Sequence, residues 1–152
     1  MNILDRHRLQ SAASDVRQNL LQARMEAVKS SSFCTLVFDQ SVNGTTWDYI
    51  VFQDNNGTVD LEYQDGEPIL VRVDLSDYKS GVRIDTNAKG TGGDGISFGN
   101  NDVGKPALGF NLRGLPRDKA MNFGSGSVFL TNDKGDVMEI QVDPTGRVVI
   151  HE

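Results

Sequence analysis

The chain has 152 residues, 38% of them hydrophobic and 24% charged, a composition that excludes wholesale disorder and fits one compact core. Fifteen Lys and Arg against 21 Asp and Glu leave a net charge of -6, so counterion release from phosphates is no chain-wide driving force. The single cysteine, Cys34, excludes an internal disulfide and a thiolate zinc cage, and the opening MNILDRHRLQ is too charged for the apolar core of a signal peptide.

From Leu4 to about Lys29 there is no Gly or Pro. Leu9, Ala13, Val16, Leu20, Ala23 and Ala27 recur at alternating spacings of four and three, which predicts one apolar face of a long α-helix. Leu21, Met25 and Val28 form a second apolar line on another side. A broad sheet covering both lines is the simpler reading; the alternative is that one side packs on the domain and the other meets a neighbouring subunit.

Ser30-Ser31-Ser32 ends the helical pattern, and the period then changes to short β-rich runs. Strands are expected near Phe33–Phe38, Trp47–Gln53, Ile69–Asp74, Gly81–Asp85, Ile96–Phe98, Ala107–Leu112, Ser127–Thr131, Val137–Val142 and Arg147–His151. The turns Asn132-Asp-Lys-Gly135 and Asp143-Pro-Thr-Gly146 each supply a glycine for positive φ, so the chain should finish as a three-stranded antiparallel meander. Alternation places Trp47, Tyr49 and Val51 on one face of their strand and Asp48, Ile50 and Phe52 on the other, with Trp47 in the core. Eight of the 16 glycines fall between Gly90 and Gly114, which reads as a surface loop. The expected class is α+β, with residues 1–30 as a helical stem and 31–152 as a β-domain, together a single domain.

Chemistry is harder to find. Gly90-Thr-Gly-Gly-Asp-Gly95 precedes a strand and lacks the Lys-Ser/Thr of a phosphate loop. Asp54-Asn-Asn-Gly-Thr-Val-Asp60-Leu-Glu62 offers oxygen ligands, but its glycine is misplaced for a calcium loop and a polar hairpin turn is the simpler reading. Gly124-Ser-Gly-Ser127 reads as a turn and not a nucleophile elbow. His7 and His151 would need both ends of the chain together to form a site, and Cys34 reads as a small buried residue. No catalytic, cofactor or metal residue is assigned, which favours a binding or structural module over an enzyme.

The order of features says more than any one motif. Leu20-Leu-Gln-Ala-Arg-Met-Glu-Ala-Val-Lys29 resembles the L-x-x-A-R-x-E-A-(I/V)-(K/R) stretch of the GspH/FimT family of type II secretion pseudopilins and type IV minor pilins. Trp47 through Asp60, Phe110-Asn-Leu-Arg-Gly-Leu-Pro116, and Gly126 through Ile150 with its Gly146-Arg147 are similar to that family's hairpin, F-x-x-x-G-x-P segment and closing meander. The resemblance implies a pilin-like fold, one long N-terminal α-helix on antiparallel β-sheets without an active site. It also implies a prepilin leader and an apolar half-helix ahead of Met1, which would make Met1 an introduced start. A half-helix of about twenty apolar residues spans a bilayer.

The implied protein is a non-catalytic filament-tip subunit, single-pass in the bacterial inner membrane with a periplasmic β-domain. It would act in secretion or pilus assembly. Its implied partners are other major and minor pilins or pseudopilins, the inner-membrane assembly platform and secreted cargo. Its helix would pack on other subunits through Leu9, Ala13, Val16, Leu20, Leu21, Met25 and Val28. The alternative is a DNA-binding minor pilin for natural transformation, using Arg113, Arg117, Lys119 and Arg147. DNA is disfavoured because relatives that capture it end in Gly-Arg-x-Arg, whereas Val149 stands in the second arginine's place and cannot pair with phosphate.

Overall fold

The computed structural model describes residues 3–55, 59–88, 90–91 and 93–152. Helix α1 (Ile3–Ser30) carries its buried side chains, Leu9, Ala12, Ala13, Val16, Leu20, Ala23 and Ala27, on the line that the spacing predicts. Four of these are alanines, which let the sheets approach the helix closely. At its end Ser31 takes φ +50°, and the Ser32 amide donates to the Ala27 carbonyl at 3.2 Å, a Schellman closure in which serine occupies glycine's usual place.

Among the described residues nine strands follow: β1 (Cys34–Val42), β2 (Thr45–Gln53), β3 (Ile69–Val73), β4 (Arg83–Ile84), β5 (Ala107–Phe110), β6 (Pro116–Arg117), β7 (Gly126–Thr131), β8 (Val137–Val142) and β9 (Val148–His151). They form two antiparallel sheets, in the orders β3-β2-β1-β5-β6 and β4-β7-β8-β9. One apolar cluster lies between α1 and the sheets and contains Leu36, Phe38, Tyr49, Val51, Phe110, Val128 and Ile140. A second holds Phe33, Val37, Ile50, Phe52, Leu61 and Ala107, so β1 and β2 are buried on both faces.

The closing meander forms as its turns predict. In the first turn the buried Asn132 accepts from the Lys134 and Asp136 amides at 3.0 and 3.1 Å. In the second, Asp143 Oδ1 accepts from the Thr145 and Arg147 amides at 2.9 and 3.1 Å, and these bonds, with that from the Thr145 hydroxyl foremost, hold its carboxyl below the ordinary value.

Several expectations need correction. Ile96–Phe98 makes only an isolated bridge to Val128, because Gly95 at φ +76° cuts the run short. Gly81–Asp85 shrinks to the two-residue edge strand β4. Leu75–Tyr78 is a short 3-10 helix whose first amide is taken by Asp48 at 2.7 Å. Pro116 opens β6 at a sheet edge, where its missing N–H leaves no ladder bond unmade.

Trp47 does not share a face with Tyr49. It is half-buried against the second cluster, to which the buried Val42 belongs, whereas Phe38 and Tyr49 belong to the first. Asp39, at φ +53° opposite Asp48, interrupts the pleat, and alternation reverses beyond it.

Candidate functional site

The outer side of α1 leaves apolar surface in water, as Val103, Leu112 and Phe123 do elsewhere on the molecule. Met25 and Val28 are 70% and 51% exposed, and half-buried Leu21 lies beside them. Leu9, Ala13, Val16 and Leu20, by contrast, are at most 1% exposed against the chain's own sheets. This corrects the expectation that all seven meet a neighbouring subunit: four are core, and the accessible remainder is Leu21, Met25 and Val28.

Next to this strip a groove of about 490 Å³ runs between α1 and β9, lined by Arg17, Leu21, Arg24, Arg147 and the chain from Gly146 to Ile150. Arg17 Nε donates to the Val148 carbonyl and Arg24 Nη1 to the Gly146 carbonyl, each at 3.3 Å. Gly146 has φ +89°, and a Cβ there would lie 3.3 Å from Arg24 Cζ and from the Gly114 carbonyl oxygen. Gly114 has φ +76°, and a Cβ there would lie 3.1 Å from Val28 Cγ2 and 3.2 Å from Arg24 Cγ. The helical stretch around Arg24, the turn before Pro116 and the closing Gly146-Arg147 therefore converge on one spot. Arg17 stands in no motif and Arg24 only as the arginine of the L-x-x-A-R-x-E-A resemblance; their separation of seven, two helical turns with Leu21 between, sets them on one side of the helix.

The residues named for DNA do not form one patch. Arg147 shares its groove with Arg17 and Arg24, and the exposed Arg113 sits in the neighbouring turn. Arg117, however, lies over the Phe123 ring at 4.7 Å, and Lys119 pairs with Asp102 at 2.7 Å.

No reactive constellation appears among the described residues. Ser127 Oγ donates to Glu139 at 2.6 Å. Burial raises the Cys34 thiol to about 12, with the charge of Glu26 adding, so it stays protonated. The chain ends do meet, through Arg6 and Glu152 at 2.8 Å, but the His151 ring bonds Gln141 at 2.9 Å.

The carboxylates of the Asp54–Glu62 turn brace the backbone. Asp54 accepts from the Leu61 amide at 2.8 Å, Asp60 from Glu62 at 3.0 Å, and the nearby Glu67 from Asn55 and Gln64 at 2.8 and 2.6 Å. Among the described residues no group of three or more His, Cys, Asp or Glu could hold a metal ion. Asn56, Gly57 and Thr58 of that turn, and Gly92 of the glycine run, lie outside the described residues.

A long N-terminal helix laid on antiparallel sheets, with its inner face as core and its outer face unfilled, defines a pilin-like α+β protein. The family model described as Type II transport protein GspH matches residues 12–146, and the chain belongs to that family. No curated protein and no solved structure matches it. The family implies a minor pseudopilin of type II secretion, a structural periplasmic subunit that assembles with other pseudopilins. Among the described residues no helix is long and apolar enough to cross a membrane.

Proposed function

We propose that this chain works as a non-catalytic subunit near the tip of a periplasmic secretion filament, and that helix packing carries its work. Residues 1–30 serve as the stem and 31–152 as the β-domain that faces the periplasm, partner pseudopilins and secreted cargo. An apolar half-helix of the kind the family implies would hold the subunit in the inner membrane until the assembly platform extracts it. The observation that carries this reading is the division of α1 into a face with Leu9, Val16 and Leu20 fully buried and a face with Met25 70% exposed. A helix whose two sides differ in this way has one surface for its own domain and one to offer.

A role in capturing DNA has less support, because the chain carries a net charge of -6 and Arg117 and Lys119 are engaged elsewhere. The test is deletion of the gene in its host. Loss of exoprotein secretion, restored by the full-length gene, is expected, together with co-purification of the other pseudopilins. Undiminished secretion in the deletion strain would refute the reading.

A further inference from the structure

Two features of the α1 surface are only partly used within the domain. The first is the apolar strip of Leu21, Met25 and Val28, flanked by Arg24 and Lys29. The second is the arginine groove beside it. The ion pairs among the described residues use Arg6, Arg83, Lys105 and Lys119; none involves Arg17, Arg24 or Arg147, in a chain with 21 Asp and Glu. Arg17 and Arg24 each give one long bond to a main-chain carbonyl, which leaves most of their five donors to water. Three arginines line one groove of an acidic protein; Arg147 feels the charge of Asp143, and Arg17 and Arg24 have no carboxylate in ion-pair range among the described residues.

The two features are continuous, because Leu21 and Arg24 belong to both. We propose that together they form one docking surface, and that its occupant is a carboxylate-bearing apolar segment of a neighbouring pseudopilin. A Glu or Asp of that segment enters the groove between Arg17, Arg24 and Arg147, and its apolar side chains cover Leu21, Met25 and Val28. A guanidinium fork matches a carboxylate in two parallel bonds, which fixes the register of the segment along α1. A nucleic-acid backbone would satisfy the arginines but leave the strip in water, and the strip therefore selects a protein partner. The class of the partner rests on the pseudopilin reading; the chemistry of the surface does not.

The test titrates this chain against the periplasmic domains of the other pseudopilins of the same system, one at a time, at about 50 mM and about 300 mM salt. A short DNA duplex is titrated in parallel. Wild type is compared with the double variant Arg24→Gln, Arg147→Gln and with Met25→Ser. Met25→Ser should melt with wild type, and the arginine variant, which gives up the Arg24 bond to the Gly146 carbonyl, is titrated well below its own melting temperature.

One domain is expected to bind wild type. That binding should weaken about tenfold or more in the arginine variant, fall at the higher salt, and weaken several-fold in Met25→Ser. The proposal is overturned if no domain binds, if binding survives the arginine variant, or if Met25→Ser leaves it unchanged. Binding of the duplex in preference to every domain would reassign the groove to nucleic acid and also overturns it. Secretion in the deletion strain involves none of these substitutions, so it judges the pseudopilin reading separately.

Discussion

Replacing Asp54 by Asn should stabilise the protein at neutral pH and do little in acid. Asp54 is 1% exposed; one of its oxygens accepts from the Leu61 amide, and the other, Oδ1, is buried without a partner among the described residues. Burial, with the nearby charges of Glu67 and Asp60 adding, pushes its carboxyl from 3.8 up to about 7. Between those values the folded protein keeps a proton that the unfolded chain has released, so rising pH favours unfolding. The contribution is whole below about 3.8 and gone above about 7.

Moving a carboxyl that far corresponds to about 4 kcal/mol, and local relaxation brings the expected loss to about 2–4 kcal/mol. Asparagine keeps the acceptor for Leu61 and replaces the orphaned oxygen with a donor among carboxylates. Urea unfolding, followed by the fluorescence of the lone Trp47, should show a midpoint for Asp54→Asn about 1–2 M above wild type at pH about 8, and near-coincidence at pH about 4. Asp143 and Asp74, whose carboxyls are lowered by bonds chiefly from Thr145 and Ser76, lose their contribution at the acid end in both proteins and cancel. Equal midpoints at pH about 8, or a difference that does not change with pH, would refute the reasoning.

Core and surface of α1 should separate cleanly. Leu20→Ala, at a fully buried position, should cost about 3 kcal/mol and lower the melting temperature by roughly 6–12 °C. Met25→Ser should stay within about 0.5 kcal/mol of wild type; similar losses for both would contradict the assignment of faces. Gly109 has room for nothing larger, since a Cβ there would lie 2.2 Å from Phe33 Cε1 and 2.6 Å from Leu61 Cδ2. Gly109→Ala should therefore cost about 1–3 kcal/mol, and an unchanged denaturation midpoint would show that Phe33 and Leu61 give way freely.

What sequence reasoning recovered was what neighbouring residues enforce. The inner line of α1 follows from a spacing of three and four, and the last meander from turns whose glycines need positive φ. The first hairpin carries an equally plain signal that was passed over, Asn43-Gly44, both at positive φ between two-sided strands. The reversal at Asp39 was not legible, because nothing in the alternation of β1 announces a left-handed aspartate opposite another carboxylate. The groove was half-legible. Arg24 and Arg147 each stand within a motif, but Arg17 reads as an ordinary solvated helix charge, and nothing local joins the motifs until the Gly114 and Gly146 turns close on Arg24. That proximity joins Arg24 to a turn 122 residues further on, beyond any local pattern.

The contact of the first helix with the last strands also orders events in time. Arg6 reaches Glu152, Arg17 reaches Val148, Arg24 reaches Gly146, and Asn132 reaches the Asp5 carbonyl. Part of the helix's inner line rests on β8 and β9, so the earliest-made segment waits for the latest-made one before that apolar side is covered. Such long sequence separations slow folding and leave the nascent chain exposed to wrong partners meanwhile. They also mean that a pull on the helix is passed at once to the C-terminal strand, through Val148 and Gly146, and to the middle of the chain, through Tyr49, Tyr78 and Ser80.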